Sequence, residues 1–350
     1  MKRTVGAIWI IGSILLIGTA TFAEGINPRP SIQFPDPALI GKPVNPQSVG
    51  AFVQYTVSDY VSFIDKLEAM PEKKIDIGMV ALAVAKDVYP DIDTKAYSRR
   101  INKMVEAIKK ITNGSKDPDW RIRVMNSYLY RNRGIHYAND DPCAEKKENR
   151  YITGILDYKK GCCVSMPTFY MAVGQRLGYP IYPVSAPQHV FIRYVDPKFK
   201  EQNIEATGGG GYTPDGEYKE VLRVSAKAIK SGAYLRTLSY REFLGDLICQ
   251  NGNYWLSEGE VDRAVYYLAA ARRMYPKSAD ICQAFGNALL AQSSQMNGRG
   301  SIQVENTGRE CLRVAEDMGV EHLPRENYLE EQKKAQKKYR SKHKLQGATQ

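Results

Sequence analysis

Apolar residues recur at helical spacing through the first half of the chain. One face of a helix is formed by Val57, Tyr60, Val61, Ile64 and Leu67. Three further helices are predicted downstream: residues 75–88, a helix from Thr94 to a stop at Asn113-Gly114, and one after Pro118. Each helix is expected to bury its apolar face in a common core.

The pattern changes between residues 151 and 222. A helix is predicted at 164–177, where Gly178-Tyr179-Pro180 ends it, and strand-like runs follow at 190–195 and 203–207. Four glycines at 208–211 predict a flexible loop. Because the helix precedes the strands and no alternation of parallel strands with helices is present, this segment predicts an α+β domain.

The C-terminal third resembles a tetratricopeptide repeat. Small and aromatic residues have the spacing of its helix pair: Gly252, Trp255, Gly259, Ala264, Leu268, Ala271 and Pro276. Gly286 lies 34 residues after Gly252, the period of that repeat. Residues 293–305 are expected to be an insertion before a second helix near 309–318. A generic helical hairpin is the alternative.

The N-terminus has the features of a secretory signal peptide. Lys2 and Arg3 precede an apolar run at 5–17, and small residues lead to Ala23, where cleavage is expected. A membrane anchor is the alternative, but the run is shorter than the roughly 20 residues that span a bilayer. The mature protein is therefore predicted to be periplasmic or secreted, without a transmembrane segment. Six prolines in residues 24–48 predict an extended leader.

Composition excludes several classes of protein. With 350 residues, 43% of them apolar and 25% charged, the chain is long enough for about two domains and too apolar for global disorder. The net charge of +11 is concentrated at 325–350, where eight Lys or Arg face three Glu. This basic tail has two interpretations. It is a solvated helical face, or it is attracted to anionic envelope surfaces and acidic partners. The export signal and the absence of a binding module argue against nucleic acid.

Two adjacent cysteines precede the predicted helix at 164–177. The amides and dipole at a helix N-terminus favour a thiolate over a thiol. His189 follows Cys163 by 26 residues at the start of a strand, and Glu205 lies on the next strand. This order is that of a nucleophile, a base and a residue that orients the base. Since successive helical residues point about 100° apart, only one of Cys162 and Cys163 can face His189.

These residues resemble the transglutaminase-like superfamily, and more closely its SirB-type members. The resemblance rests on Gly161-Cys162-Cys163, Pro187-Gln188-His189-Val190-Phe191, Ile204-Glu205-Ala206-Thr207, Ile75-Asp76-Ile77-Gly78, Tyr89-Pro90-Asp91, residues 128–134 and Arg176-Leu177-Gly178. It implies a papain/transglutaminase-like core preceded by a helical region and followed by an all-α tetratricopeptide module. The expected organisation is a signal peptide (1–23), a leader (24–48), the helical region with the core (49–235), repeats (236–324) and a basic tail (325–350).

The resemblance also implies roles for individual residues. Cys163 fills the nucleophile position of the Gly-x-Cys motif, with Cys162 as the alternative nucleophile. His189 matches the base. Glu205 stands where related cores have Asp, and Asn203, two residues earlier on the same strand face, is the alternative orienting residue.

Other chemistries receive less support from the sequence. Ser165 with His189 is a weaker nucleophile pair. A zinc site is not predicted because the two cysteines are adjacent and lack the Cys-x-x-Cys spacing. Residues 208–211 are followed by neither Lys-Ser/Thr nor a helix, so they are not a phosphate loop. No metal and no cofactor is expected.

An exported chain with six cysteines is expected to form disulfides. The favoured pair is Cys249 with Cys282, on the first helices of the two predicted repeats, with Cys311 nearby on the last helix. Cys143 with Cys162 is a second pairing that would leave Cys163 free.

The sequence as a whole predicts a cysteine-dependent amide hydrolase or acyltransferase. Its substrate would be a protein or peptide amide, including cell-wall peptide, and the outcome hydrolysis, deamidation or crosslinking. The alternative is a catalytically inactive envelope scaffold that binds a protein partner through its repeats.

Overall fold

The N-terminal region of the protein is a layer of helices. The computed structural model describes residues 51–142, 144–199, 203–320, 330–339 and 341. The first helices are α1 (Ala51–Glu68), α2 (Ile77–Val88), α3 (Thr94–Thr112) and α4 (Pro118–Asn126), and α4 continues into a π-helical turn at Ser127–Asn132. They are the four helices that the apolar spacing predicts.

Local capping explains where these helices begin and end. The side chains of Asp76, Asp93 and Asp117 each accept a hydrogen bond from a backbone N–H in the first turn of α2, α3 and α4. Pro118 occupies the first turn of α4, where its missing donor costs nothing. Asn113 ends α3 with a φ of 45°, the left-handed conformation that stops a helix.

A four-stranded antiparallel sheet follows the helical layer. Its strands are β3 (Ile181–Ala186), β4 (His189–Tyr194), β5 (Asn203–Glu205) and β6 (Gly211–Tyr212), in that spatial order, while the short β1 (His136–Tyr137) and β2 (Lys160–Gly161) pair in parallel elsewhere. The sequence did not indicate β3, since Pro183 lies in its middle. Proline is tolerated there because β3 is an edge strand.

The helix that follows the two candidate cysteines is the centre of this domain. Shorter helices precede and follow it in the order α5 (Lys147–Arg150), α6 (Ile152–Tyr158), α7 (Ser165–Arg176), α8 (Asp215–Val221) and α9 (Ala226–Ser231). In α7 every residue from 165 to 174 is buried. It lies between α2, α3 and α6 on one side and β3 and β4 on the other. The α+β arrangement expected from the sequence is confirmed.

The glycine run lies at the turn between β5 and β6. Gly209 and Gly210 have φ values of 76° and 79°, which connect β5 to β6. The Asn126 side chain donates a hydrogen bond of 2.7 Å to the Gly210 carbonyl. A Cβ on Gly210 would lie 2.1 Å from Asn126 Oδ1, so only glycine fits against α4.

Two helical hairpins form the C-terminal part. Their helices are α10 (Tyr240–Ser257), α11 (Val261–Met274), α12 (Ala279–Gln295) and α13 (Arg299–Asp317). A Cβ on Gly252 would lie 2.7 Å from Leu268 Cγ, and one on Gly286 would lie 2.8 Å from the Gly308 carbonyl oxygen. These glycines therefore let the paired helices approach closely.

The expected insertion at 293–305 is wrong. Helix α12 continues to Gln295 and α13 begins at Arg299, so only three residues connect them. The polar composition of this segment resembled a loop. Its residues after the connection instead form the first turns of a longer α13, in which Ile302 is exposed and Val304 packs against the core.

Asp87 fastens the first hairpin to α2. Its Oδ1 accepts hydrogen bonds from Arg263 (2.6 Å) and Tyr267 (2.8 Å), and its Oδ2 accepts from Asn251 and Trp255 (2.9 Å each). The Arg263 guanidinium also lies 3.5 Å from the centre of the Trp255 ring. The Asp87 side chain is 7% exposed. One buried carboxylate thus joins three helices.

The favoured disulfide between Cys249 and Cys282 does not form. Cys162, Cys249, Cys282 and Cys311 carry free thiols. Cys282 faces α13, where its thiol donates a hydrogen bond of 3.2 Å to the Cys311 carbonyl, because the closest neighbour of α12 is its hairpin partner. Cys143, and with it the second predicted pairing, lies outside the described residues.

Several sequence predictions concern segments outside the described residues. These segments are the signal peptide, the proline-rich leader and most of the basic tail. Within the described ranges, no helix has the length and apolar character needed to cross a membrane.

Candidate active site

The two cysteines lie in the tight turn that joins β2 to α7. A Cβ on Gly161 would lie 2.8 Å from Ser165 Oγ, which explains why glycine begins the Gly-x-Cys motif. The Cys162 amide donates to Ser165 Oγ at 2.9 Å, and Ser165 Oγ donates to the Asn149 carbonyl at 2.6 Å. The Ser165 hydroxyl therefore anchors the turn, and the structure does not support it as a nucleophile.

The neighbouring thiols have different surroundings. Cys162 Sγ is buried against the start of α7, where it accepts a hydrogen bond of 3.4 Å from the Val164 amide. Cys163 Sγ instead reaches the sheet, and it donates to the Gln188 carbonyl oxygen at 3.6 Å. Gln188 directly precedes His189, so Cys163 is the cysteine whose sulfur contacts the turn before the predicted base.

The two thiols also interact with each other. A hydrogen bond with the Cys163 thiol is the main cause that lowers the pKa of Cys162 to about 6; burial opposes this, and bonds from Ser165 and Val164 add to it. The pair is therefore able to lose a proton near neutral pH. Only Cys163 has its sulfur directed at the turn before β4.

A strained turn carries Gln188 towards Cys163. Residues 187–188 connect β3 to β4, whose register pairs Ala186 with His189. Gln188 has a φ of 53°, which is uncommon for a residue with a side chain. Such outliers persist where the surrounding structure holds them, often at functional sites. Here the turn directs the Gln188 carbonyl at the thiol, and His189 follows as the first residue of β4.

His189 is paired with Glu205 on the next strand. His189 Nε2 lies 2.7 Å from Glu205 Oε2, and the two side chains are 11% and 17% exposed. The register pairs Arg193 with Asn203 and Ile192 with Ile204, so His189 is a diagonal neighbour of Glu205. The additional methylene of Glu, compared with Asp, helps the carboxylate to reach His189 over this diagonal distance between the strands. With Nε2 occupied, Nδ1 is the ring nitrogen left for a thiol proton.

Glu205 accepts hydrogen bonds at both carboxylate oxygens. Thr207 donates to Oε1 through its amide (2.9 Å) and hydroxyl (2.5 Å), and the Tyr218 hydroxyl donates to Oε2 at 2.9 Å. Burial by itself raises the pKa of Glu205, but the charge and hydrogen bond of His189 and the Thr207 bonds together lower it to about 2. The carboxylate is therefore ionised when it orients His189.

This lowered pKa predicts a pH-dependent contribution to stability. In the unfolded chain Glu205 has the ordinary pKa of 4.5, above its folded value of about 2. Its interactions are therefore fully stabilising above pH 4.5 and are lost as the pH falls towards 2. We expect Glu205→Gln to lower the free energy of unfolding by about 3 kcal/mol at pH 7. Urea unfolding of both proteins should show this difference shrinking between pH 4.5 and 2; a constant difference would contradict it.

Asn203 does not reach His189 and therefore does not orient it. Its Oδ1 accepts from Arg193 Nε at 2.8 Å, and its Nδ2 donates to the Thr213 carbonyl and to Asp215 Oδ1. These bonds tie β5 to β4 and to α8. The register places Asn203 opposite Arg193, which leaves the histidine to Glu205.

The sequence did not indicate two parts of this site. Tyr218 is on α8, in an element separate from the motifs, and no spacing rule links it to Glu205. The strained conformation of Gln188 likewise has no signal, since the residue is not Gly, Asn or Asp. Thr207 was part of the Ile-Glu-Ala-Thr motif without an assigned role. In the part of the chain that the structure describes, no three His, Cys, Asp or Glu side chains are arranged to hold a metal ion.

Comparison with known proteins relates the segment that carries this site to a known family. Residues 95–248, which contain Cys163, His189 and Glu205, match the family model of the transglutaminase-like superfamily. Two UPF0162 proteins, from Xylella fastidiosa strains Temecula1 and 9a5c, are each 25% identical over 129 residues. That alignment covers 37% of this chain and 45% of each relative, so the chain spans less than half of their length. No solved structure matches. Residues 95–248 are thus similar to the transglutaminase-like superfamily.

Proposed function

We propose that this protein is a cysteine-dependent acyl-transfer enzyme that acts on protein or peptide amides. The observation that carries this proposal is the placement of Cys163. Its thiol lies before the N-terminus of α7 and against the turn that precedes His189, whose other ring nitrogen is held by the buried Glu205 carboxylate. The superfamily match supports the same chemistry.

The geometry supports a sequence of proton and acyl transfers. His189 Nδ1 takes the thiol proton, and the Cys163 thiolate attacks the amide carbon. The N-terminal end of α7 carries partial positive charge that stabilises the oxyanion. His189 returns the proton to the leaving amine or ammonia, which leaves a thioester on Cys163. Water or a primary amine then attacks the thioester and regenerates the thiol, so the product is an acid or a new amide.

The subfamily, the compartment and the partner that we propose rest on the sequence. The Gly-x-Cys and Pro-x-His motifs and the preceding helices support a SirB-type protein, and the pattern at 1–23 supports export to the periplasm or beyond. Peptides of the cell wall are then candidate substrates. The 34-residue spacing of Gly252 and Gly286, with both glycines at helix contacts, supports a tetratricopeptide-like module that docks a protein partner. A scaffold without turnover is the rival function.

Substitution of each cysteine tests the proposed chemistry. Cys163→Ser is expected to lower turnover of a glutamine-rich protein by at least about 10³-fold, because a hydroxyl is a far weaker nucleophile than a thiolate. Cys162→Ser should retain most of the turnover and is the matched control. Ammonia release, peptide cleavage and incorporation of a fluorescent primary amine are measured in parallel. These readouts separate deamidation, hydrolysis and crosslinking.

The scaffold predicts a different outcome. Wild-type protein would then give none of the three products, while still binding a partner through α10–α13. Loss of turnover in Cys162→Ser with retention in Cys163→Ser would reverse the assignment of the nucleophile.

A further inference from the structure

Glu205 is enclosed by groups from three other elements of the fold. The titratable groups that face it within the described residues are His189 from β4, Tyr218 from α8 and Tyr130 from the π-helical turn. Of the two tyrosines, Tyr218 bonds the carboxylate, whereas Tyr130 stacks on Tyr170 at 6.4 Å. Tyr218 donates to Oε2, the same oxygen that His189 contacts.

We propose that Tyr218 is a positioning residue, a fourth member of the Cys163–His189–Glu205 relay that holds Glu205 ionised and aligned on the histidine. The inference rests on the proposed function for its catalytic meaning. Its physical content, the control of Glu205 by Tyr218, can be measured without any substrate.

Packing fixes the position of the Tyr218 ring. The ring stacks on Phe191 with centroids 3.7 Å apart and planes within 8°, and it is 4% exposed. Phe191 is two residues from His189 on β4, and the His189 ring lies 6.2 Å from the Tyr218 ring. A side chain held in this way keeps its hydroxyl aimed at Glu205 without an entropic cost during the reaction.

The direction of the hydrogen bond is also fixed. Burial, followed by the charge and hydrogen bond of Glu205, raises the pKa of Tyr218 well above its ordinary value, so the phenol keeps its proton. Because an ionised carboxylate has no proton to donate, Tyr218 is the donor and Glu205 Oε2 is the acceptor.

This bond affects where the proton rests during catalysis. When His189 takes the thiol proton, its imidazolium faces a buried carboxylate that could remove the proton from Nε2. A donor on Oε2 stabilises the ionised form of Glu205 and lowers its proton affinity. The proton then stays on His189, ready for the leaving group.

Tyr218→Phe removes the hydroxyl and retains the ring stack. We expect the pH at which Glu205 titrates to rise by about one unit, a tenfold change in proton affinity, because one donor to the ionised form is lost. The carboxyl carbon shift of Glu205, followed by NMR, measures this directly. The acid-side loss of Cys163 alkylation by iodoacetamide should move in the same direction. Tyr130→Phe removes a hydroxyl that does not bond Glu205, and it should change neither measurement.

The outcomes separate the inference from the proposed function. A folded Tyr218→Phe with an unchanged Glu205 titration overturns the inference, whatever its stability. A shifted titration in a protein whose Cys163 is inert supports the relay and contradicts the enzyme. Should the variant not fold, the wild type still decides: the Tyr218 hydroxyl proton must be visible by NMR with a contact to Glu205, and rapid exchange with water would overturn the inference.

Discussion

Replacing His189 by alanine is expected to lower amide turnover by about 10²–10⁴-fold at pH 7, the usual contribution of a general acid–base group. The thiol proton then has no acceptor, and the leaving amine has no donor. The half-maximal pH for Cys163 alkylation should rise to about 8.5, the range of an unperturbed thiol. The variant should fold, because Glu205 keeps its Thr207 and Tyr218 donors.

His136→Ala is the matched control for that variant. The His136 side chain is exposed, and its Nδ1 contacts the Gly134 carbonyl at 2.9 Å, so it contributes no hydrogen bond to the Cys163, His189 and Glu205 side chains. Turnover and alkylation should stay within about twofold of the wild type. Equal losses in both variants would show that the effect of His189 is not specific.

Removing the Asp87 carboxylate is expected to have the largest effect on stability. Asp87→Ala leaves Arg263 without its ion-pair partner and leaves the donors of Asn251, Trp255 and Tyr267 unsatisfied. Breaking a buried pair by removing one partner costs about 3–5 kcal/mol. We therefore expect the free energy of unfolding in urea to fall by at least about 3 kcal/mol.

Glu305→Ala provides the comparison for Asp87. Glu305 pairs with Arg309 on the surface of α13, and the two side chains are 40% and 67% exposed. Its loss should change the free energy of unfolding by less than about 0.5 kcal/mol. If Asp87→Ala were equally mild, the first hairpin would not depend on this carboxylate for its attachment to α2.

The sequence predicts those parts of the fold that depend on local chemistry. Asp93, Pro118 and Asn113 mark helix ends through hydrogen bonds and backbone conformations within a few residues. The same holds for the turn at Gly161-Cys162-Cys163, where contact with Ser165 requires glycine. The candidate nucleophile, base and carboxylate could therefore be identified before the fold was known.

Features that depend on tertiary packing were missed or wrong. Strand β3 was missed because Pro183 lies within it. A proline is tolerated in a strand at the edge of a sheet, and the sequence does not show which strand lies at an edge. A disulfide between Cys282 and Cys249 was expected, although the helix of Cys282, α12, packs most closely on α13. Tyr218 reaches Glu205 only because α8 folds over β4 and stacks on Phe191. None of these relations is encoded by spacing along the chain.

Capture of the acyl-enzyme tests the central claim, that Cys163 is the nucleophile, most directly. Wild-type protein is treated with an activated ester such as p-nitrophenyl acetate at pH 7, quenched in acid and digested with trypsin. Cleavage after Lys160 and Arg176 leaves both cysteines in one peptide, so fragmentation by mass spectrometry must assign the acyl group. Rapid, stoichiometric acylation of Cys163 is the predicted result. Acylation of Cys162 instead, or of neither cysteine in folded protein, would contradict it.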